Sequence, residues 1–315
     1  MPASVDPWIA DLVADDLPSE SAIGDLLGGN VPVGDVVDPG QLPRIRPLLV
    51  ALSARAVGAS RVDAEAQHAA ELLHLALVGH DLALGQKGGR RRRIARSVLR
   101  TIGDSTLTLR ALEIARHASS PEILGEVVES LREIADGRAL SREIRQGTVP
   151  DEDVWREHAD GHAGAVFAFC CRSGAHIGRG NVATVQALGR FGRHLGRLWA
   201  GAEDLSQLAR PGGDALLVHR AERGRPPLPV ICAAAVDPEL AARWVAWTRD
   251  PHPDVAADLV QRVLTRGGIS AAREVMAREN WAAQRALGVL DPNVYRRALE
   301  RLASGLARTE TGNTP

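Results

Sequence analysis

The chain reads as an all-α protein built around one main domain. Three observations predict this. Few segments alternate apolar and polar residues with a period of two. β-Branched and aromatic residues are scarce, with Phe, Trp and Tyr at 3% together. Helix starts are marked by a capping side chain ahead of a proline, at Ser120-Pro121, Asp237-Pro238 and Asp291-Pro292. At 315 residues and 45% hydrophobic content, the chain can bury a substantial core.

Along the chain, helices are predicted near 6–15, 19–27 and 44–58. Asp63 opens a long helix over 63–84. Further helices are predicted near 92–117, 121–136, 151–174, 180–208, 238–248, 252–266, 268–289 and 291–308. The stretches 28–43 and 209–229 cluster Gly and Pro and are expected to run over the surface. Residues 1–34 read as an N-terminal helical extension, 35–308 as the main domain and 309–315 as a frayed tail. No internal repeat or composition shift divides the main domain.

Bulk properties exclude several classes. A net charge of −1 argues against a nucleic-acid or membrane-surface binder. The Arg90–Arg93 run lacks the interleaved aromatics of a nucleic-acid patch. Cys170, Cys171 and Cys232 have neither metal nor disulfide spacing and read as small core residues in a reducing compartment. The start, MPASVDPWIADL, has no basic stretch followed by an apolar run, so no signal peptide is expected. No run of about 18 apolar residues predicts a transmembrane helix. The expected location is cytoplasmic.

The most informative stretch is Glu71 to Arg93, ELLHLALVGHDLALGQKGGRRRR. Glu71 and His74 stand three apart, Asp81 follows seven after His74, and Arg90 and Arg91 close the segment. Upstream lies PGQLPRIRP at 39–47, with Arg44, Arg46 and Pro47. Downstream come HAGAVF at 162–167, LGRLWAGAEDLSQL at 195–208 and RGRPPLPVICA at 223–233. In this order and spacing, over roughly residues 35–308, the segments resemble those of the trans-isoprenyl (polyprenyl) diphosphate synthase family. That family writes them as G-K-R-x-R-P, E-x-x-H with D-D-x-x-D and R-R-G, K-T-A, a second aspartate-rich segment, and G-K-x-x-L-P.

The resemblance implies an isoprenoid-synthase-type bundle of long helices around a central cavity, usually dimeric. It also implies an allylic diphosphate held through magnesium on two aspartate-rich helices, ionising to a carbocation that a second isoprenyl diphosphate attacks. Carried over residue by residue, Arg44, Arg46, His74, Arg90, Arg91, His162 and Arg225 match diphosphate-binding positions. Asp81, Glu203 and Asp204 match metal-ligand positions. The departures are specific. Leu82 and Gly85 replace two aspartates of the first motif, Gln207 replaces the last acid of the second, and Pro43, His162 and Arg225 replace lysines.

Physical chemistry gives these departures weight. A leaving diphosphate in a water-poor cavity needs cations already in place. Magnesium prefers carboxylate oxygens, and residues four apart on a helix share a face. Asp81 faces Gly85, and Glu203 faces Gln207. Losing one good charge-stabilising group costs on the order of 3 kcal/mol, so magnesium is expected to bind weakly and ordinary elongation to be slow. Arginine can replace lysine at phosphate with different geometry. Histidine does so only in part at neutral pH.

Other features carry a functional and a plain reading. His158 and His162 have a metal-chelating spacing but no third ligand, and otherwise read as polar helix positions. Trp199 could line a cavity or fill the core. Arg44 and Arg46 could hold a diphosphate or make structural ion pairs. The preferred reading is a catalytically degenerate member acting as a non-catalytic or regulatory subunit, or as an isoprenyl diphosphate binder. Its partners would be a second copy or an intact prenyl synthase. The alternative is an active non-standard prenyltransferase or terpene-cyclase-like enzyme with a reduced magnesium site.

Overall fold

Local chemistry sets where the helices begin and end. The structure is a computed structural model describing residues 6–18, 44–84, 102–144, 151–208, 212–222, 225–249 and 251–308, with backbone alone at 79–84, 102–104 and 142–144. α1 (Pro7–Asp11) starts on Asp6, whose carboxylate accepts the Trp8 N–H, with Pro7 in the first turn. A short 3-10 turn follows at Ala14–Asp16. α2 (Ile45–Val57) stops at Gly58, whose φ of +106° suits glycine. α3 (Ala64–Leu84) carries the first motif. α4 (Thr108–Ala115) follows a π-helical turn at Ile102–Leu107, and α5 spans Glu122–Ile144.

α6 (Glu152–Ala159) is capped by Asp151, which accepts the Val154 N–H. It passes through a π-helical turn at Asp160–Gly164 into α7 (Ala165–Ile177). α8 (Val182–Leu208) carries the second motif. α9 (Gly213–Glu222), α10 (Leu228–Val236), α11 (Pro238–Thr248), α12 (Pro253–Thr265), α13 (Gly268–Ala286) and α14 (Val294–Ala307) complete the order.

Every regular element among the described residues is helical, as the sequence predicts. Three local expectations need correction. The stretch 209–229 is not all surface connection: it contains α9, and the start of α10 also falls within it. Gly212 and Gly213 read as a loop, but Gly212 supplies a turn at φ +93° and Gly213 opens the helix. Pro229 lies in the first turn of α10, where its missing N–H costs nothing. The last helix begins on Asn293, whose side chain accepts the Arg296 N–H, and not on Asp291. The predicted helix at 19–27, the surface run 28–43, the Arg90–Arg93 run and the tail lie outside the described residues.

The centre of the fold is a stack of α2 on α7 and α7 on α8, with α13 against the far side of α8. α2 and α7 are apolar almost all round and buried nearly throughout. Cys170 and Cys171 sit in this layer, and burial raises both thiols, Cys171 to about 12. They are core residues, as their spacing suggests. α8 approaches the π turn closely because both sides are glycine: a Cβ at Gly196 would lie 2.5 Å from Gly164 Cα. A smaller apolar cluster joins α9, α11 and α12 through Leu217, Trp244, Trp247 and Leu259. The N-terminal segment joins the main core through Ile9 and Val13, and Arg55 pairs with Asp16 at 2.7 Å. No helix of the described residues is long and apolar enough to cross a membrane.

Candidate functional site

A cavity of about 170 Å³ opens between α2, α3, α6, the π turn, α8 and α9. Arg46, His74, His162, Glu203, Asp204 and Arg225 all line it. Six of the ten sequence-predicted site residues therefore converge, although they span 180 positions of the chain. Arg44 is not among the lining residues. It donates to the Pro18 carbonyl in the N-terminal segment. Asp81 lies on α3, but its side chain is outside the description, as are Arg90 and Arg91 entirely.

Charge in the cavity is organised in pairs. Arg46 and Glu71 form a buried ion pair at 3.0 Å, with side chains 3% and 2% exposed. Glu71, read from the sequence only as the start of a motif, is thus the counter-ion of Arg46. Arg220 of α9 reaches both acids of the second motif, at 3.0 Å from Asp204 and 3.5 Å from Glu203. Asp204 also accepts the Leu228 N–H at 3.0 Å, at the start of α10. Burial pushes the Asp204 carboxyl up to about 6, against the opposing pull of Arg220 and that N–H. Gln207 donates its amide to Glu203 at 3.1 Å. The position that resembles a third acid is therefore a hydrogen-bond donor.

His162 stands on the π turn with its Nδ1–H donating to the His158 carbonyl at 3.0 Å. Its Nε2 then accepts from Arg225. Burial, and after it the Arg225 guanidinium, hold this imidazole well below its ordinary titration range, so it is neutral at pH 7. As a candidate phosphate cation His162 is corrected accordingly: it orients Arg225 and carries no charge of its own. The His158 ring stacks on it at 4.4 Å. No group of three or more His, Cys, Asp or Glu among the described residues is placed to hold a metal ion.

Aromatic groups wall the cavity. Trp199 meets Phe167 edge-on at 5.8 Å, and Trp155 lines the same space. Behind this wall, Glu279 of α13 binds Arg156 at 2.8 Å, His194 at 2.7 Å and Arg197 at 3.3 Å. Arg197 continues to Asp160 at 2.6 Å. This network fixes the π turn that carries His162. Arg220 and Trp155 escape the sequence reading. The signal for Arg220 is the helix-forming run DALLVHRAE, which the flanking glycines obscure.

Comparison with known proteins places the fold. The family model described as polyprenyl synthetase matches residues 37–211. A short chain isoprenyl diphosphate synthase from Methanothermobacter thermautotrophicus is 31% identical over 163 residues, covering 49% of this chain. That alignment spans half of the relative's length, at 50%. A polyprenyl synthase from Caulobacter crescentus, solved with calcium and isoprenyl diphosphate, superposes with a TM-score of 0.81 at 22% identity, over 98% of this chain and 99% of that one. A geranylgeranyl pyrophosphate synthetase from Pyrococcus horikoshii gives 0.79 at 22% identity, over 96% and 98%. At such identities the solved structures speak for the fold. With the matched family model covering more than half of its length, the chain belongs to the polyprenyl synthetase family.

Proposed function

We propose that this polyprenyl-synthase-like protein binds a short isoprenyl diphosphate and does not elongate it, acting as a non-catalytic subunit beside a second copy or an intact prenyl synthase. The observation that carries this reading is the fate of the second motif. Its two acids line the cavity but are both engaged by Arg220, and Gln207 stands at the position that resembles the third. Magnesium needs several oxygen ligands in near-octahedral order. Both oxygens of Asp204 already have protein donors, so the described donor set does not fit that ion. Cationic side chains remain in the cavity, because Arg46, Arg220 and Arg225 all line it.

Size argues for a short tail. A cavity of about 150 Å³ accommodates a benzene-sized molecule. Among the described residues the cavity is of that order, about 170 Å³, with Trp199 and Trp155 in its wall. The alternative, an active enzyme with a reduced magnesium site, draws support from relatives named as synthases and from the calcium in the Caulobacter structure. Asp81 would be its remaining first-motif ligand.

Incubation with magnesium and dimethylallyl, geranyl, farnesyl or geranylgeranyl diphosphate, with and without isopentenyl diphosphate, separates the two. The expected result is ligand binding without pyrophosphate release. Time-dependent release that Asp81→Ala abolishes would overturn the non-catalytic reading.

A further inference from the structure

We infer that Arg220 is a built-in counter-ion standing in for a divalent cation, so that this cavity takes up diphosphate without metal. The inference rests on the preceding reading that the cavity binds an isoprenyl diphosphate, and it specifies how. Three observations carry it. One guanidinium spans both surviving acids of the second motif, and its side chain is only 17% exposed, so the charge is held away from water. An arginine fixed this way supplies the positive charge at that place permanently, whatever the ion content of the solution.

Second, the described lining carries more cations than acids without any metal. Arg46, Arg220 and Arg225 line the cavity with Glu203 and Asp204, and Glu71 pairs with Arg46 from outside that lining. A divalent ion added beside Glu203 and Asp204 would face Arg220 at close range, and like charges in a partly dry site repel strongly. Third, Gln207 donates an N–H to Glu203 where a carboxylate would supply a further ligand oxygen. That substitution suits an acid paired with an arginine and serves a metal poorly.

The ligand class that follows is a diphosphate recognised by guanidinium forks, which match phosphate oxygens in pairs. Arg225 is pre-oriented for this by the neutral His162, whose Nε2 takes one of its N–H groups. Glu203 is the more exposed of the two acids, at 38%. Arg220 can therefore keep its buried contact with Asp204 while its outer edge turns toward an incoming anion.

The test is calorimetric titration of the full chain with inorganic diphosphate and with dimethylallyl diphosphate, each in EDTA and in millimolar magnesium. The expected result is the same affinity in both buffers. In EDTA, Arg220→Gln should bind about tenfold more weakly or worse, the loss expected for one charged hydrogen-bonding group. Magnesium should restore part of that loss, because the two acids then lack their internal cation. Diphosphate binding by the unaltered chain only in magnesium would overturn the inference and leave the binding reading standing. No binding in either buffer would overturn both. Should Arg220→Gln fail to fold, the unaltered chain in the two buffers still decides the question.

Discussion

Replacing Glu279 by glutamine tests the ion network that supports the site. Glu279 is 4% exposed and faces three basic side chains from α6 and α8. Burial alone would raise its pKa, but His194, Arg197 and Arg156 outweigh that and hold the carboxyl at about 2. Its ordinary value is 4.5. At about 1.4 kcal/mol for each tenfold change in proton affinity, the difference corresponds to roughly 3 kcal/mol of stability at neutral pH. Removal of one partner from a buried ion pair costs about 3–5 kcal/mol, which agrees. Because the folded pKa is depressed, the contribution is complete above the unfolded value of 4.5 and is lost as pH falls through 2. Urea unfolding of both proteins should show a gap of roughly 3 kcal/mol near about pH 5, narrowing toward acid. A gap below about 1 kcal/mol at neutral pH, or one that widens in acid, would refute the reasoning.

Three further outcomes are expected. Trp199→Ala should cost about 3 kcal/mol in chemical unfolding and shift binding preference from five-carbon toward longer diphosphates, read by calorimetry; an unchanged preference would show that Trp199 does not limit the tail. Gly196→Ala places a methyl against the Gly164 backbone, so thermal unfolding should reveal a loss of about 1–3 kcal/mol, and an unaltered melting temperature would mean that the two elements separate freely. Arg46→Ala leaves Glu71 buried without its partner and should cost about 3–5 kcal/mol, most of it recovered by adding Glu71→Gln; equal losses in the single and double variants would deny the pairing.

The placement of the site residues shows what a linear reading can reach. Arg46, His74, His162, Glu203, Asp204 and Arg225 were each identified by position within a short segment, and they meet in one cavity. The role of each was less accessible. His162 looks like a weak cation in the sequence and is neutral in the fold, since its charge depends on burial and on Arg225. Arg44 and Arg46 are two residues apart, yet one bonds to the N-terminal segment and the other lines the cavity. Their separation on a helix start turns them to different neighbours. The stacked His158 and His162 rings make the chelation suggested by their spacing a packing contact among the described residues.

Helical character, the order of the motif segments and the presence of Leu82, Gly85 and Gln207 at positions that resemble carboxylate positions are all properties of the amino-acid order itself. They depend on residue type and on spacing within a few turns, where the helix repeat ties sequence directly to geometry. Which charges neutralise which was decided only by the tertiary structure. Arg46 lies 25 residues from Glu71, and Arg156 lies 123 from Glu279. Arg220 meets Asp204 only because α9 folds back against the end of α8. A guanidinium–carboxylate contact between separate helices has no characteristic spacing, and its strength is set by burial that the whole fold creates.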